Sequence, residues 1–160
     1  MLGLIISKET KVSEFRQAWI DALRQDVAIL LAKAVCMYVE ANPLEGTPTE
    51  EWRARMASNL LGVNEASFRI RLRLNPREAE SRAVLKTLGE HQALFDRRVR
   101  PDKQEFDGLV ARLVDEVQLI LKTEWDRVRS GEPVYRIARW LALIAALVLV
   151  IFLVLMRGRA

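Results

Sequence analysis

Between residues 8 and 41 the chain carries no glycine or proline, and apolar side chains return every three or four positions: Val12, Phe15, Trp19, Leu23, Val27, Leu30, Ala34, Tyr38 and Ala41. That period puts them on one face and predicts a long amphipathic helix. Asn42-Pro43, Gly46 and Pro48 break it. Thr47-Pro48-Thr49-Glu50 then reads as a new start, with Thr47 as the cap, Pro48 at the first helical position and Glu50 at the third. Trp52, Met56 and Leu60 follow four apart, and Gly62 either ends this helix or is carried inside it. Residues 68–74, Phe-Arg-Ile-Arg-Leu-Arg-Leu, alternate in the manner of a strand. No second segment offers itself as a pairing partner, and a lone strand is not viable, so 64–74 is read as helix.

Asn75-Pro76-Arg77-Glu78 repeats the start pattern, and the helix it opens carries Leu85, Leu88, Phe95 and Val99 before Arg100-Pro101 stops it. Asp102-Lys103-Gln104-Glu105 is a further capping signal, followed by Phe106, Val110, Leu113, Val117, Ile120 and Val128. Ser130-Gly131-Glu132-Pro133 closes that helix. The expected fold class is all-α. A bundle of four or five helices over residues 1–133 is joined by short turns to a C-terminal membrane helix at 134–156, with a short tail at 157–160.

The membrane expectation rests on residues 140–156, seventeen consecutive positions without a charge or strongly polar group. At about 1.5 Å per residue they extend roughly 25 Å, a little less than a bilayer core of about 30 Å. Arg139 can stretch its stem toward the headgroups and make up the difference. Four arginines precede the run (Arg127, Arg129, Arg136, Arg139) and two follow it (Arg157, Arg159), so the positive-inside rule places residues 1–133 in the cytoplasm. Tyr135 and Trp140 fall where an interfacial aromatic belt belongs. Residues 2–6 are apolar but too short to span. Small residues at Ala138, Ala142 and Ala146, widened by Ala145, form a stripe along which two such helices can pack. Self-association is therefore expected.

Charge changes the picture once it is divided along the chain. The net +4 suggests a nucleic-acid binder, yet residues 1–133 hold 21 basic and 21 acidic side chains and are neutral. The excess is Arg136, Arg139, Arg157 and Arg159, all flanking the apolar run, so no specific nucleic-acid binding is expected. Within the neutral part, residues 51–100 carry eleven basic groups against six acidic ones. Most of the basic groups are arginine, whose planar fork suits phosphate or carboxylate. Arg69, Arg71, Arg73, Arg97, Arg98 and Arg100 are the candidate site for an acidic protein or phosphorylated ligand. Replacing Arg69, Arg71 and Arg73 together by Gln is expected to abolish such binding and leave the fold intact. The bland alternative is a solvated surface pairing with the chain's own acidic helices.

Other chemistry is thin. One histidine and one cysteine exclude an internal disulfide and the usual zinc sites. His91 has Glu90 beside it, but adjacent helical residues point apart, so a partly exposed helix-face histidine is expected. Cys36, among Val35, Met37 and Tyr38, is expected to be a buried, inert thiol. The seven glycines are isolated and form no phosphate-cradling loop. No catalytic residues and no cofactor are expected.

Two stretches carry a resemblance. Leu2-Gly3-Leu4-Ile5-Ile6-Ser7-Lys8 runs into Lys11-Val12-Ser13-Glu14-Phe15-Arg16-Gln17-Ala18-Trp19-Ile20-Asp21-Ala22-Leu23-Arg24, and Ile120-Leu121-Lys122-Thr123-Glu124-Trp125-Asp126-Arg127-Val128 precedes the apolar run. Together they resemble a widespread group of uncharacterised bacterial membrane proteins with a cytoplasmic helical domain between two transmembrane helices. The resemblance implies that topology and a bacterial or prophage origin, and no activity. On that pattern either a first membrane helix precedes residue 1 or this chain is single-pass. The expected function is a membrane-anchored, non-enzymatic adaptor, regulator or effector at the bacterial inner membrane, with the lipid bilayer as one partner. The alternative is an oligomeric pore-forming or membrane-disrupting effector, for example in phage defence, against which stands the lack of a polar stripe to wet a channel. Dye release from liposomes separates the two.

Overall fold

The chain, described here by a computed structural model over residues 2–41, 49–97, 101–130 and 133–158, is helical in every regular element. Five helices follow one another: α1 Leu2–Glu40, α2 Glu50–Arg73, α3 Ala79–Asp96, α4 Lys103–Ser130 and α5 Pro133–Arg157. The chain divides into two compact units, one made of Ala18–Glu124 and the other of Met1–Gln17 with Trp125–Ala160.

The larger unit is an up-down-up-down bundle. Its core threads the four helices at three-to-four spacing: Leu23, Val27, Leu30 and Ala34 from α1, Val63, Ala66 and Ile70 from α2, Val84, Leu88 and Leu94 from α3, and Phe106, Leu113 and Val117 from α4. Four amphipathic helices that each bury one stripe close a common interior without any long connection.

The local signals decide where each helix begins. For α2 the cap is Thr49, two residues after the Thr47 that the sequence pattern favours; its hydroxyl accepts from the Trp52 backbone N–H at 3.2 Å. Thr47 and Pro48 themselves lie outside the described residues. Asp102 caps α4 as expected, accepting from the N–H groups of Gln104 (2.8 Å) and Glu105 (3.2 Å). The Asn75-Pro76-Arg77-Glu78 signal is corrected. Asn75 accepts from the Arg77 N–H through its side chain and from the Glu78 N–H through its carbonyl, so the tetrapeptide forms a turn and α3 starts only at Ala79. A side-chain acceptor two residues ahead closes an Asx turn as readily as it caps a helix.

Segment 64–74 is helix, and its alternation has a physical account. Ile70 and Leu74, four apart, enter the core, whereas Phe68 and Leu72 lie outside, with Leu72 88% exposed. The period-two pattern is thus two helical stripes on opposite sides. Gly62 is carried inside α2. A methyl group there would sit 3.2 Å from Cγ of Lys33, so α1 and α2 approach closely at that level.

In the smaller unit, α5 is a continuous helix of 25 residues, and each of its described side chains is exposed, among them Leu141, Ile144, Leu147, Val148, Ile151 and Leu155. Among the described residues no helix is long and apolar enough to cross a membrane. The stripe residues Ala142, Ala145 and Ala146 are exposed; the side chain of Ala138 lies outside the described ones.

Candidate functional site

The arginines singled out in the sequence separate into three situations. Arg69 and Arg73 are four apart on α2 and therefore share a face. Both turn toward α1 and meet Asp26, which is 3% exposed. Arg73 Nε donates to Asp26 Oδ2 at 2.7 Å, and an Arg69 guanidinium nitrogen stands 3.6 Å from Oδ1. Arg69 also bonds Glu65 one turn earlier. The pairing is forced by the position of Asp26 among Leu23, Val27 and Leu30: a carboxylate carried into the core by its helix must find a cation or lose its charge. Arg71, two residues from each neighbour, points elsewhere and donates to Ser67 Oγ at 3.5 Å. The three are not one anion site.

The seam continues upward. Lys33 Nζ donates to Asn59 Oδ1 at 3.1 Å, the Asn59 amide donates to Glu40 Oε2 at 3.2 Å, and Arg55 Nε donates to Glu40 Oε1 at 3.1 Å. Trp52 Nε1 adds a bond to the Glu40 carbonyl at 3.0 Å. Asp26, Lys33 and Glu40, seven apart, thus supply a polar edge that fixes the register of α1 against α2.

Arg97 belongs to the α3/α4 side. It bonds both carboxylate oxygens of Glu105, at 2.9 and 3.1 Å, while Arg112 bonds Glu90 one helical repeat further along. These two pairs stand in a shallow cleft of about 480 Å³, with Gln104, Gly108 and Leu109 among its lining residues. Two guanidinium groups facing two carboxylates leave the cleft without net charge, so an incoming anion would have to displace a carboxylate. Arg98 and Arg100 lie outside the described residues.

His91 departs from expectation. It is 2% exposed, in a ring cluster at the end of the bundle: Tyr38 stacks on Phe106 with centroids 4.5 Å apart, and His91 lies 5.1 Å from Phe95 and 6.1 Å from Phe106. Its Nε2 is buried without a hydrogen-bond partner among the described residues, and burial lowers its pKa below the ordinary imidazole value. Beside Glu90 alone, nothing draws it off an outer face. Its place one turn after Leu88 and Thr87 is the signal that puts it on the buried stripe. Cys36 also departs from expectation: it is exposed, because α1 turns Met37 and Ala34 inward instead.

Asp26, Glu40, Glu90, Glu105 and Arg112 were not among the sequence candidates. Asp26 had a readable signal, as a lone charge inside an apolar stripe. Among the described residues no group of His, Cys, Asp and Glu is placed to hold a metal ion. Compared with known proteins, the chain matches no protein family, no curated protein and no solved structure.

Proposed function

We propose that this chain is a non-enzymatic adaptor, regulator or effector whose four-helix unit is held at the bacterial inner membrane by α5. One observation carries the reading: the seventeen uncharged residues 140–156 all lie within α5, and each described side chain along it is exposed. A stretch of Leu, Val and Ile whose described side chains are exposed has lipid as its natural surroundings. The run alone extends about 25 Å, and Arg139 and Arg157 at its ends reach headgroups by extending their stems. The excess of arginine before the run orients the larger unit toward the cytoplasm. Arg73 with Asp26, Arg55 with Glu40, Arg97 with Glu105 and Arg112 with Glu90 pair across helix seams, which suits a scaffold that offers surfaces to partners.

Removing residues 134–160 tests this. The full chain is expected in the membrane pellet after a carbonate wash and the shortened chain in the supernatant. A shortened chain that stays in the pellet overturns α5 as the anchor.

A further inference from the structure

The arginines of α5 differ from those of the bundle in having no acid to meet on their own helix. Arg55, Arg73, Arg97 and Arg112 each pair with a carboxylate. Along its 25 residues α5 holds three arginines and no Asp or Glu. Arg136 stands three residues before Arg139 and four before Trp140, so the three positions share one face of α5. Arg139 and Trp140 are exposed, and neither has a partner among the described residues. Trp140 also opens the uncharged run. From Arg136 to Trp140 the helix advances about 6 Å, and the headgroup layer on one side of a bilayer is about 5–7 Å thick. With the run in hydrocarbon, this face spans that layer.

We infer that Arg136, Arg139 and Trp140 form a binding site for the headgroup phosphate of an anionic phospholipid. The inference rests on α5 lying in the bilayer, and it names the lipid that α5 selects there. A guanidinium fork matches two oxygens of a phosphate, and two forks on one face surround a single phosphate with donors. The indole has an apolar body and one N–H donor, which suits the boundary between acyl chains and headgroups. A free phosphate would satisfy the arginines and leave the indole in water; a phospholipid supplies acyl surface and phosphate in one molecule. Charge decides the class of lipid. A zwitterionic headgroup brings an ammonium or choline beside its phosphate, and α5 has no carboxylate to answer it. An anionic headgroup has no such cation to place. The other end of α5 lacks this arrangement: Arg157 stands between Met156 and Gly158, with no second arginine and no tryptophan within one turn before it.

The test is the lipid that the full chain retains from non-ionic detergent micelles holding equal amounts of phosphatidylglycerol and phosphatidylcholine, counted by mass spectrometry after free lipid is removed. A basic residue at an anionic surface strengthens binding about five-fold, so two arginines predict a preference for phosphatidylglycerol of roughly 25-fold. Arg136→Gln and Arg139→Gln are each expected to lower it about five-fold, and the double variant to bring it near parity, with unchanged helical circular dichroism. Arg157→Gln is expected to leave it in place. A wild type without preference overturns the inference, as does a preference that survives in the double variant. A preference lowered as much by Arg157→Gln as by Arg139→Gln reflects net charge alone and also overturns it. So does a preference abolished by excess glycerol phosphate, which makes a small soluble phosphate the ligand. Carbonate washing of vesicles made only of phosphatidylcholine reads the anchor by itself. A chain that resists the wash and shows no lipid preference keeps α5 as anchor and loses this site; a chain that is washed off loses the anchor. The two failures are thus told apart.

Discussion

Arg73→Gln probes the interaction on which the α1/α2 register depends. Arg73 donates at 2.7 Å to a carboxylate that is almost wholly buried, and the second cation, Arg69, stands farther off at 3.6 Å. Removing one partner of a fully buried pair costs about 3–5 kcal/mol, because the other charge is left without compensation. Here Arg73 is itself one-third exposed and Arg69 remains, so the expected loss is about 2 kcal/mol. For a chain of this size that lowers the midpoint of thermal unfolding by about 4–8 °C. Asp26→Asn keeps an acceptor and removes the buried charge, so it should cost less, about 1 kcal/mol. The paired replacement Asp26→Leu with Arg73→Met exchanges the ion pair for apolar contact and should fall within about 1 kcal/mol of the wild type. Helical circular dichroism followed through urea and heat measures all three. The expectation of an intact fold for the triple Arg69, Arg71, Arg73→Gln replacement is revised accordingly: two of those three side chains neutralise Asp26, so that variant should unfold earlier than Arg73→Gln alone. The reasoning is refuted if Arg73→Gln loses less than about 0.5 kcal/mol, or if Asp26→Asn and Arg73→Gln add without coupling in a double-mutant cycle.

His91 predicts a pH dependence with a definite sign. Folded, it resists protonation; unfolded, it takes a proton near its ordinary 6.5, so below that pH the unfolded chain binds more protons and stability falls as pH falls, by at most about 1.4 kcal/mol per pH unit. Melting curves between pH 7.5 and 5 should show this slope in the wild type and lose it in His91→Leu; equal slopes would mean that other groups set it. Gly89 lies within α3 with open space where a methyl group would go, so Gly89→Ala should raise stability by about 0.5–1 kcal/mol, read as a higher urea midpoint.

The helices were legible because each carries its own period and, at Asp102, its own cap. Their faces were less so. Phe15 falls on the expected apolar face of α1 yet is exposed, while Ile20 and Met37, off that stripe, are buried. The three-to-four pattern of α1 admits more than one register when nearly every residue from 27 to 39 is apolar, and packing against α2 and α4 selects among them. The arginine excess was legible as composition but not as pairing. Whether Arg73 meets a ligand or Asp26 depends on a contact 47 residues away, which no local spacing encodes. The candidate cleft fails to appear in the sequence for the same reason, since Arg97–Glu105 and Glu90–Arg112 join separate helices.

These contacts change what the arginine excess of residues 51–100 means. Arg69 and Arg73 meet Asp26, Arg97 meets Glu105 and Arg112 meets Glu90, so these guanidinium groups hold helices together. The apolar residues, by contrast, exceed what one bundle interior can absorb. Leu23, Leu88 and Leu113 are covered by the chain itself; Leu141, Ile144, Leu147, Ile151 and Leu155 on α5 and Leu61, Phe68 and Leu72 on α2 are not. Hydrophobic burial is additive in area and indifferent to which molecule supplies the cover, so each uncovered set calls for a surface of its own. Leu, Val and Ile in an uncharged run call for lipid. Loss of α5 should therefore release the chain from the membrane while leaving the four-helix unit folded, its helical circular dichroism unchanged.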